Sequence, residues 1–306
     1  MAELTKDKIY GLIFGCALGD AAAVPYEGQS AEYIAERFTL ENLPLLSSNK
    51  KEEKASWHNV ENNDWSDDTD QLILLYDVIK ECKGSFSPTL FAQKIYNWRH
   101  HGFSELGDLC GAGMGQLTAA VTAHPKFLEN PFLASKEVWE RLGSKSAPNG
   151  AIMRAGISAV ANNWVNTAIE QAKITHHDDR CVRSSICLAY ICKKYLRNEH
   201  PNMALIKSML PDFPYWDFDK IDFSGDHRGY TYITLAAGLW TVEQITAGNT
   251  DFKNIMRRLT YLGGDTDTNC AVAGQILGSY LGFDRLPKDW IATLKHTDWL
   301  LKRLDR

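Results

Sequence analysis

Two short acidic segments hold the residue types that are best suited to chemistry. They are residues 66–70, which read SDDTD, and residues 263–268, which read GGDTDT, and each leads into an apolar stretch. One Ser or Asp is enough to cap a helix. Several carboxylates in so few residues, however, repel one another unless something neutralises them. Divalent cations such as Mg²⁺ do so readily, because they prefer carboxylate, hydroxyl and water oxygens.

The spacing within the second segment favours an ion site at a helix start. Asp265, Asp267 and Thr268 stand at positions i, i+2 and i+3, where their oxygens can converge before the regular helical repeat begins. The glycines of 263–264 allow the tight turn that precedes them. The first segment lies about 200 residues earlier, so the two would meet across a helical bundle and hold two ions. Simple helix capping is the alternative interpretation.

The rest of the chain has helical rather than strand periodicity. The pattern predicts a helix that Thr5 caps, one that starts at 116, and helices over 69–82, 88–102, 178–197, 229–247, 251–262 and 267–281. Residues 40–65, with a charged run at 50–54, residues 107–115 and residues 210–228 lack this pattern. No row of alternating segments with hairpin turns occurs. We therefore expect an all-α protein, and no linker composition divides 1–306 into more than one domain.

The composition excludes few classes of function, but it indicates the cellular compartment. A formal net charge of −5 shows no basic footprint for nucleic acid. The N-terminus does not read as a signal peptide, and we identify no apolar run of roughly 18 residues that would span a membrane. The seven cysteines are scattered and form no C-x-x-C pair, which indicates free thiols in a reducing compartment. We expect a cytoplasmic monomer without membrane or nucleic-acid partners.

The two acidic segments resemble the metal motifs of the ADP-ribosylglycohydrolases. That family carries Ser/Thr-Asp-Asp-Thr early in the chain and Gly-Gly-Asp-Thr-Asp-Thr near its C-terminus. Further matches follow in the family's order over nearly the whole chain: residues 11–20 with Pro25-Tyr26-Glu27, residues 111–115 (GAGMG), residues 148–154 (PNGAIMR), Thr175-His176, and residues 271–282 (AVAGQILGSYLG). The C-terminal motif with its following helix is the most specific of them.

The resemblance implies a compact orthogonal helical bundle that hydrolyses the bond between ADP-ribose and an acceptor. It implies two Mg²⁺ ions, with Mn²⁺ possible, that bind the distal ribose and position water near the anomeric carbon. The implied metal ligands are Ser66, Asp67, Asp68, Asp265, Asp267 and Thr268. Asp267 would bridge the ions, and Glu27, Asp67 and Asp267 would form the catalytic group.

The resemblance also implies a substrate-binding surface. Its expected members are Gly111, Gly113, Met114 and Gly115 in a diphosphate loop, with Asn149, Gly150, Met153 and His176. The partner would be an ADP-ribosylated protein, with arginine slightly favoured as the acceptor, or a small molecule that contains ADP-ribose. The chain departs from the family pattern at Ser66, where Thr is commoner, at Pro148, where a glycine is missing, and at Asp70, which extends the acidic run.

Two other functions fit parts of the sequence. His177-Asp178 is similar to the metal site of HD-type phosphohydrolases, which are also all-helical. That class needs further His and Asp ligands on other helices, and the other histidines stand in no such context. A non-catalytic ADP-ribose-binding relative is the second alternative. The complete set of carboxylates, with Glu27 present, argues against it.

Overall fold

The computed structural model describes residues 4–46 and 63–305, and within these ranges the protein is all-α, as predicted. An isolated bridge between Pro148 and Tyr230 is the only β-type pairing among the described residues. The helices are α1 Lys6–Ala23, α2 Ala31–Ala35, α3 Asp67–Glu81, α4 Pro88–His101, α5 Gln116–Thr122, α6 Pro131–Arg141, α7 Trp164–Lys173, α8 Asp179–Leu196, α9 Met203–Met209, α10 Thr231–Thr246, α11 Phe252–Tyr261, α12 Thr266–Leu281, α13 Lys288–Thr293 and α14 Thr297–Asp305. The charged run at 50–54, part of the segment predicted to lack helical periodicity, lies outside the described residues.

The predicted helices are confirmed, and their ends shift by two residues at most. Helix α3 begins earlier than predicted because the Ser66 hydroxyl accepts a hydrogen bond from the Asp68 amide (3.3 Å) and caps the first turn. Thr5 caps α1 in the same way. The pattern does not predict α2, α6, α7, α9, α13 or α14. Several of these are too short to show a stripe, but α6 follows an Asn130 cap with Pro131 in its first turn.

Helices α1 and α12 form the centre of the protein. The segment Lys6–Tyr26 is long and apolar enough to cross a membrane by length and composition, with a mean hydropathy of 1.4. The expectation that no such run exists is therefore wrong. However, 94% of its most apolar stretch of 18 residues is buried inside the protein. A helix that is apolar on all sides is expected where neighbours surround it completely, as they do here.

Glycines allow α1 and α12 to pack backbone against backbone in antiparallel directions. A methyl group on Gly15 would lie 2.2 Å from the carbonyl oxygen of Gly274, and one on Gly278 would lie 2.0 Å from that of Gly11. Their spacing of four residues places the glycines of each helix on one face. The end of α1 consequently lies beside the start of α12, where the Thr266 hydroxyl donates to the carbonyl of Ala23 (2.9 Å).

Gly15→Ala should destabilise the protein by about 1–3 kcal/mol, because the added methyl would press on backbone that has no room to yield. Urea unfolding measures this loss. Gly238→Ala is the matched control in α10, since its methyl would meet only side-chain carbons at 3.1 Å and gains helix propensity. Equal stability of Gly15→Ala and wild type would show that the two helices do not depend on this contact.

Candidate active site

Asp20 connects the end of α1 to the start of α3. Its fully buried carboxylate accepts hydrogen bonds from the amides of Ser66 (3.1 Å) and Thr69 (3.1 Å) and from the Thr69 hydroxyl (2.6 Å). An anion at this position also complements the positive end of the helix dipole. Burial nevertheless outweighs these bonds and raises the pKa of Asp20 to about 6. The carboxylate thereby holds the first acidic segment against α1.

Asp68 connects the two acidic segments. Its Oδ2 accepts hydrogen bonds from the hydroxyls of Ser66 and Thr268, each at 3.3 Å. Its Oδ1 is buried and has no hydrogen-bond partner among the described residues. A buried oxygen without a partner costs free energy, and a cation ligated at this position would remove that cost. The two segments therefore lie side by side, with one carboxylate oxygen open to a ligand.

Asp67 lies beneath the glycine-rich loop. Its Oδ2 accepts a hydrogen bond from the side-chain amide of Gln71 (2.7 Å). A methyl group on Gly113 would lie 2.8 Å from Asp67 Oδ1, and Gly113 has a φ of +85°. Only glycine accommodates both this φ and this close approach. The loop backbone thus crosses directly over a predicted ligand.

Glu27 lies with the second acidic segment. Carboxylate oxygens of Glu27, Asp265 and Asp267 all lie within 4.8 Å of one another, a separation that one metal ion could span. Glu27 follows a 3₁₀ turn, Val24–Tyr26, at the end of α1. The sequence resemblance implied that Glu27 is a catalytic carboxylate on a loop. It did not predict that Glu27 would lie close enough to Asp265 and Asp267 to bind the same metal ion.

Two backbone hydrogen bonds fix the Glu27 loop to the glycine pair. The Gly28 amide donates to the Gly264 carbonyl (2.7 Å), and the Gly264 amide donates to the Gln29 carbonyl (2.7 Å). Gly264 has a φ of +81°, and a methyl group there would lie 1.8 Å from the carbonyl oxygen of Phe223. The glycine pair is therefore required for close contact as well as for the turn.

The carboxylates of this cluster are protonated more easily than isolated ones. Burial, and after it the neighbouring carboxylates, raise the pKa of Asp67, Asp68 and Asp267 well above the usual range. Burial together with Asp265 and Asp20 raises the pKa of Glu27 to about 7. Such a cluster needs protons or a cation to neutralise it. All its donors are oxygens, so the residues fit Mg²⁺ or Mn²⁺.

A cleft of about 110 Å³ opens above the carboxylates. The predicted site residues that line it are Glu27, Asp67, Asp68, Gly113, Gly115, Asn149, Gly150, Met153, His176, Asp265, Asp267 and Thr268. Gln116, Leu117, Thr118 and Pro148 also line it, although none of them was among the expected site residues. This volume suits a fragment the size of a pentose, so any larger ligand extends beyond it.

The 147–149 loop is held against both the second segment and α10. The Asn149 side-chain amide donates to Asp265 Oδ2 and to the Thr234 hydroxyl, each at 2.9 Å. Its backbone amide donates to the Gly229 carbonyl (3.0 Å). Pro148 has no amide hydrogen, but none is needed here. The backbone hydrogen bonds of this loop are made by the Asn149 amide and by the Ala147 carbonyl, which accepts from the Thr231 amide. Asn149 is thus positioned as a support of Asp265.

Three predicted site residues have mainly structural contacts. Ser66 caps α3 and bonds to Asp68. Gly111 packs against the ring of Trp98, since a methyl group there would lie 2.7 Å from it. Met114 packs against the hydrophobic core, and its sulfur accepts a contact from the Thr122 hydroxyl (3.9 Å). None of the three is among the residues that line the cleft.

Asp70 has hydrogen-bond partners outside the carboxylate cluster. Its two oxygens accept hydrogen bonds from the indole N–H groups of Trp65 (2.7 Å) and Trp98 (2.9 Å). Burial raises the pKa of Asp70 to about 8, although both indoles lower it. The extra acid of the first segment therefore joins α3 to α4 and points away from the carboxylate cluster.

The His177-Asp178 pair does not form a metal site of the HD type. Both Asp178 oxygens pair with the Arg180 guanidinium at 2.8 Å, and one also accepts the Trp139 indole N–H (3.2 Å). The His177 ring packs against the Trp139 ring. Asp178 caps α8, and no further His or Asp joins the pair among the groups of possible ligands in the described residues.

Sequence reasoning missed three residues that shape this site: Asp20, Gln71 and Arg154. Asp20 had a visible signal, since it is the only acid near the end of an apolar helix. Gln71 and Arg154 had none, because their roles depend on contacts across the fold. Arg154 donates to Gln71, to Gly150 and to residues of α7 and the α7–α8 loop.

The fold and site define an all-helical protein with a carboxylate-lined ligand cleft, and comparison with known proteins identifies its family. The sequence model of the ADP-ribosylglycohydrolase family matches residues 1–306. The chain is 24% identical to ADP-ribosylarginine hydrolase Tri1 of Pseudomonas putida over 94% of this chain and 74% of that one. It is 21% identical to ADP-ribosyl-[dinitrogen reductase] glycohydrolase of Rhodospirillum rubrum, over 94% and 90% of the two chains.

A solved structure has a similar fold. The protein resembles a chain of an ADP-ribosylglycohydrolase-related protein complex with a TM-score of 0.64, at 22% identity over 97% of this chain and 95% of that one. Because the family model matches residues 1–306, this chain belongs to the ADP-ribosylglycohydrolase family. The family and the names of its relatives support an enzyme of the ADP-ribosyl-acceptor hydrolase kind.

Asp20→Asn should destabilise the protein by about 1–3 kcal/mol, because both carboxylate oxygens lie 3.1 Å from the Ser66 amide and either orientation of an Asn would set its N–H₂ group against that donor. Urea unfolding in the presence of a chelator measures the loss without a contribution from bound cations. Asp298→Asn is the matched control, since this acid lies exposed in the first turn of α14 and should change stability by less than about 0.5 kcal/mol. Equal effects of the two substitutions would contradict the role of Asp20.

Proposed function

We propose that the protein is a metal-dependent ADP-ribosyl-acceptor hydrolase that holds two Mg²⁺ ions between the acidic segments. The main support is the convergence of Glu27, Asp265 and Asp267 within 4.8 Å, next to the unpartnered Asp68 Oδ1. Carboxylates so close together are costly unless cations neutralise them. Mn²⁺ would accept the same oxygens.

The residues of the cleft would have three different roles: metal binding, orientation of a ligand and proton transfer. When bound, the ions supply Lewis-acid charge stabilisation and a template for the distal ribose and water. Asp67, Asp68, Asp265, Asp267 and Thr268 hold them, with Ser66 as the cap that orients Asp68. Glu27, which lies within 4.8 Å of Asp265 and Asp267, accepts or donates the proton at the scissile bond. Charge that develops on the ribose ring in an oxocarbenium-like transition state faces this carboxylate cluster.

The cleft would bind only the distal ribose, so the rest of the substrate must lie along its rim. Gly113 and Gly115 line the cleft together with the carboxylates, and glycine backbone there could bind a diphosphate closely. Gly150 and His176 also line the cleft. We infer that ADP-ribosylated protein is the partner, that arginine is the preferred acceptor, and that the chain acts as a cytoplasmic monomer. Relatives named as ADP-ribosylarginine hydrolases, which match 94% of the chain, support the acceptor.

Asp267→Asn should lower turnover about 100-fold or more, because it removes one charged oxygen ligand while keeping the side-chain shape. Mg²⁺ should raise the melting temperature of the wild type, since a ligand that binds the native state stabilises it, and should leave that of the variant nearly unchanged. Calorimetry and an ADP-ribose release assay measure the two effects.

His177→Asn is the control for the rival metal site. An HD-type phosphohydrolase would lose its activity with this substitution, whereas the proposed enzyme should keep it. Full activity of Asp267→Asn combined with inactivity of His177→Asn would reject the proposed site in favour of the rival.

A panel of substrates tests the linkage. Peptides that carry ADP-ribose on arginine or serine, and O-acetyl-ADP-ribose, would each be incubated with Mg²⁺ and with a chelator. Arginine-linked ADP-ribose should be cleaved about tenfold faster than the others, a ratio typical of discrimination by pocket contacts. Faster cleavage of another linkage would correct the acceptor, and activity that persists in chelator would reject the metal dependence.

A further inference from the structure

Arg154 is a fully buried cation beside the cleft, and no carboxylate pairs with it directly among the described residues. Its guanidinium donates to the side-chain oxygen of Gln71, to the Gly150 carbonyl (2.7 Å), to both oxygens of Gln171 (3.0 and 3.1 Å) and to the Thr175 hydroxyl (2.6 Å). Burial lowers the pKa of Arg154 to about 9, so it remains charged at neutral pH. Each of these polar contacts is therefore a hydrogen bond that Arg154 donates.

A guanidinium has five donors and no acceptor, so it sets the direction of any chain of hydrogen bonds that it starts. Gln71 must offer its oxygen to Arg154, because the reversed amide would set donor against donor. Its N–H₂ group consequently faces Asp67 and donates to Oδ2 (2.7 Å). The first chain thus ends as a donor to one oxygen of a candidate ligand and leaves Oδ1 for a cation.

The second chain runs through Thr175 to His176. The Thr175 oxygen accepts from Arg154, so its own hydrogen is free to donate to His176 Nδ1, which lies 2.8 Å away. Burial and the charge of Arg154 lower the pKa of His176 to about 3, so the ring is neutral. A neutral imidazole that accepts at Nδ1 carries its proton on Nε2.

The Nε2 atom of His176 lies at the wall of the cleft. A methyl group on Gly150 would lie 3.1 Å from this nitrogen and 3.3 Å from the Thr118 hydroxyl, and all three residues line the cleft. The Nε2–H group is therefore placed to donate to an acceptor atom of a bound molecule. Both chains begin at one cation and end as donors in the same site.

We propose that Arg154 is a positioning residue that sets the direction of both chains, holding Asp67 for a cation and presenting the Nε2–H of His176 to a substrate oxygen. The identity of the cation and of the substrate rests on the proposed function. Within that function, the acceptor is a phosphate or hydroxyl oxygen of ADP-ribose. A cationic or donor-only group at the same place would be disfavoured.

Nitrogen-15 NMR of the histidine-labelled protein tests the second chain, with His176→Asn used to assign the signals. The wild type should show the Nε2–H tautomer with a hydrogen-bonded Nδ1. Thr175→Val keeps the side-chain shape and should move the Nδ1 resonance as that bond is lost. Thr241 is another buried threonine, and its hydroxyl donates to the Ala237 carbonyl within α10. Thr241→Val should therefore leave the Nδ1 resonance of His176 unmoved. An Nδ1–H tautomer in the wild type would overturn the inference.

Mn²⁺ titration followed by paramagnetic resonance tests the first chain. Gln71→Met should weaken Mn²⁺ binding about tenfold, as expected when a partner that orients a ligand is removed. Thr175→Val should keep the Mn²⁺ affinity and weaken binding of ADP-ribose about tenfold, the equivalent of one hydrogen bond. Arg154→Lys keeps a buried donor-only cation. Its Mn²⁺ affinity should lie between those of the wild type and Gln71→Met, and its ADP-ribose affinity between those of the wild type and Thr175→Val. Unchanged Mn²⁺ affinity in Gln71→Met would overturn the first chain.

These measurements do not require hydrolysis, so the inference and the proposed function can fail separately. A wild type with the expected tautomer and Gln71-dependent Mn²⁺ binding that cleaves none of the linkages would reject the proposed function alone. A wild type that cleaves ADP-ribose from its acceptor but has the Nδ1–H tautomer would reject this inference alone.

Discussion

The contact between the backbones of α1 and α12 is the constraint on which the site depends. Gly15 and Gly274 bring the two helices closer than any side chain would permit. Because the helices are antiparallel, this contact places Asp20 and Glu27 at the end of one helix beside Asp265 and Asp267 at the start of the other. Helix α3 is then attached through Asp20, which accepts the amides of its first turn. One steric arrangement in the core thus collects carboxylates from three distant parts of the chain.

The collected carboxylates are unfavourable for folding on their own. Burial and mutual repulsion raise the pKa of Asp67, Asp68 and Asp267, and Asp68 leaves one oxygen without a partner. Strain of this kind persists only where the surrounding structure holds it in place. Here the apolar core around α1 and α12 supplies that support. The site is therefore prepared for a ligand that carries the missing positive charge, and cation binding and stability are expected to rise together.

Neighbouring acids of similar appearance in the sequence have different tasks in the structure. Asp67 and Asp68 face the cleft, whereas Asp70 lies between two indole groups and joins α3 to α4. In the glycine-rich loop, Gly113 crosses Asp67, whereas Gly111 packs on Trp98. The period of a helix separates such residues in direction, but their partners come from other elements. Residue type and local spacing alone could not distinguish them.

The sequence by itself determined the all-α class, both ends of six helices, the family and which carboxylates belong to the two acidic segments. These follow from local patterns, since helical periodicity, caps and short motifs act over a few neighbouring residues. Only the tertiary structure decided that Glu27 joins Asp265 and Asp267, that Asp20 holds α3, and that Arg154 directs hydrogen bonds toward Asp67 and His176. These are contacts between residues far apart in the chain. Their geometry depends on how closely α1 and α12 approach. The spacing of the glycines permits this approach, but no local pattern states that these two helices are the ones that pair.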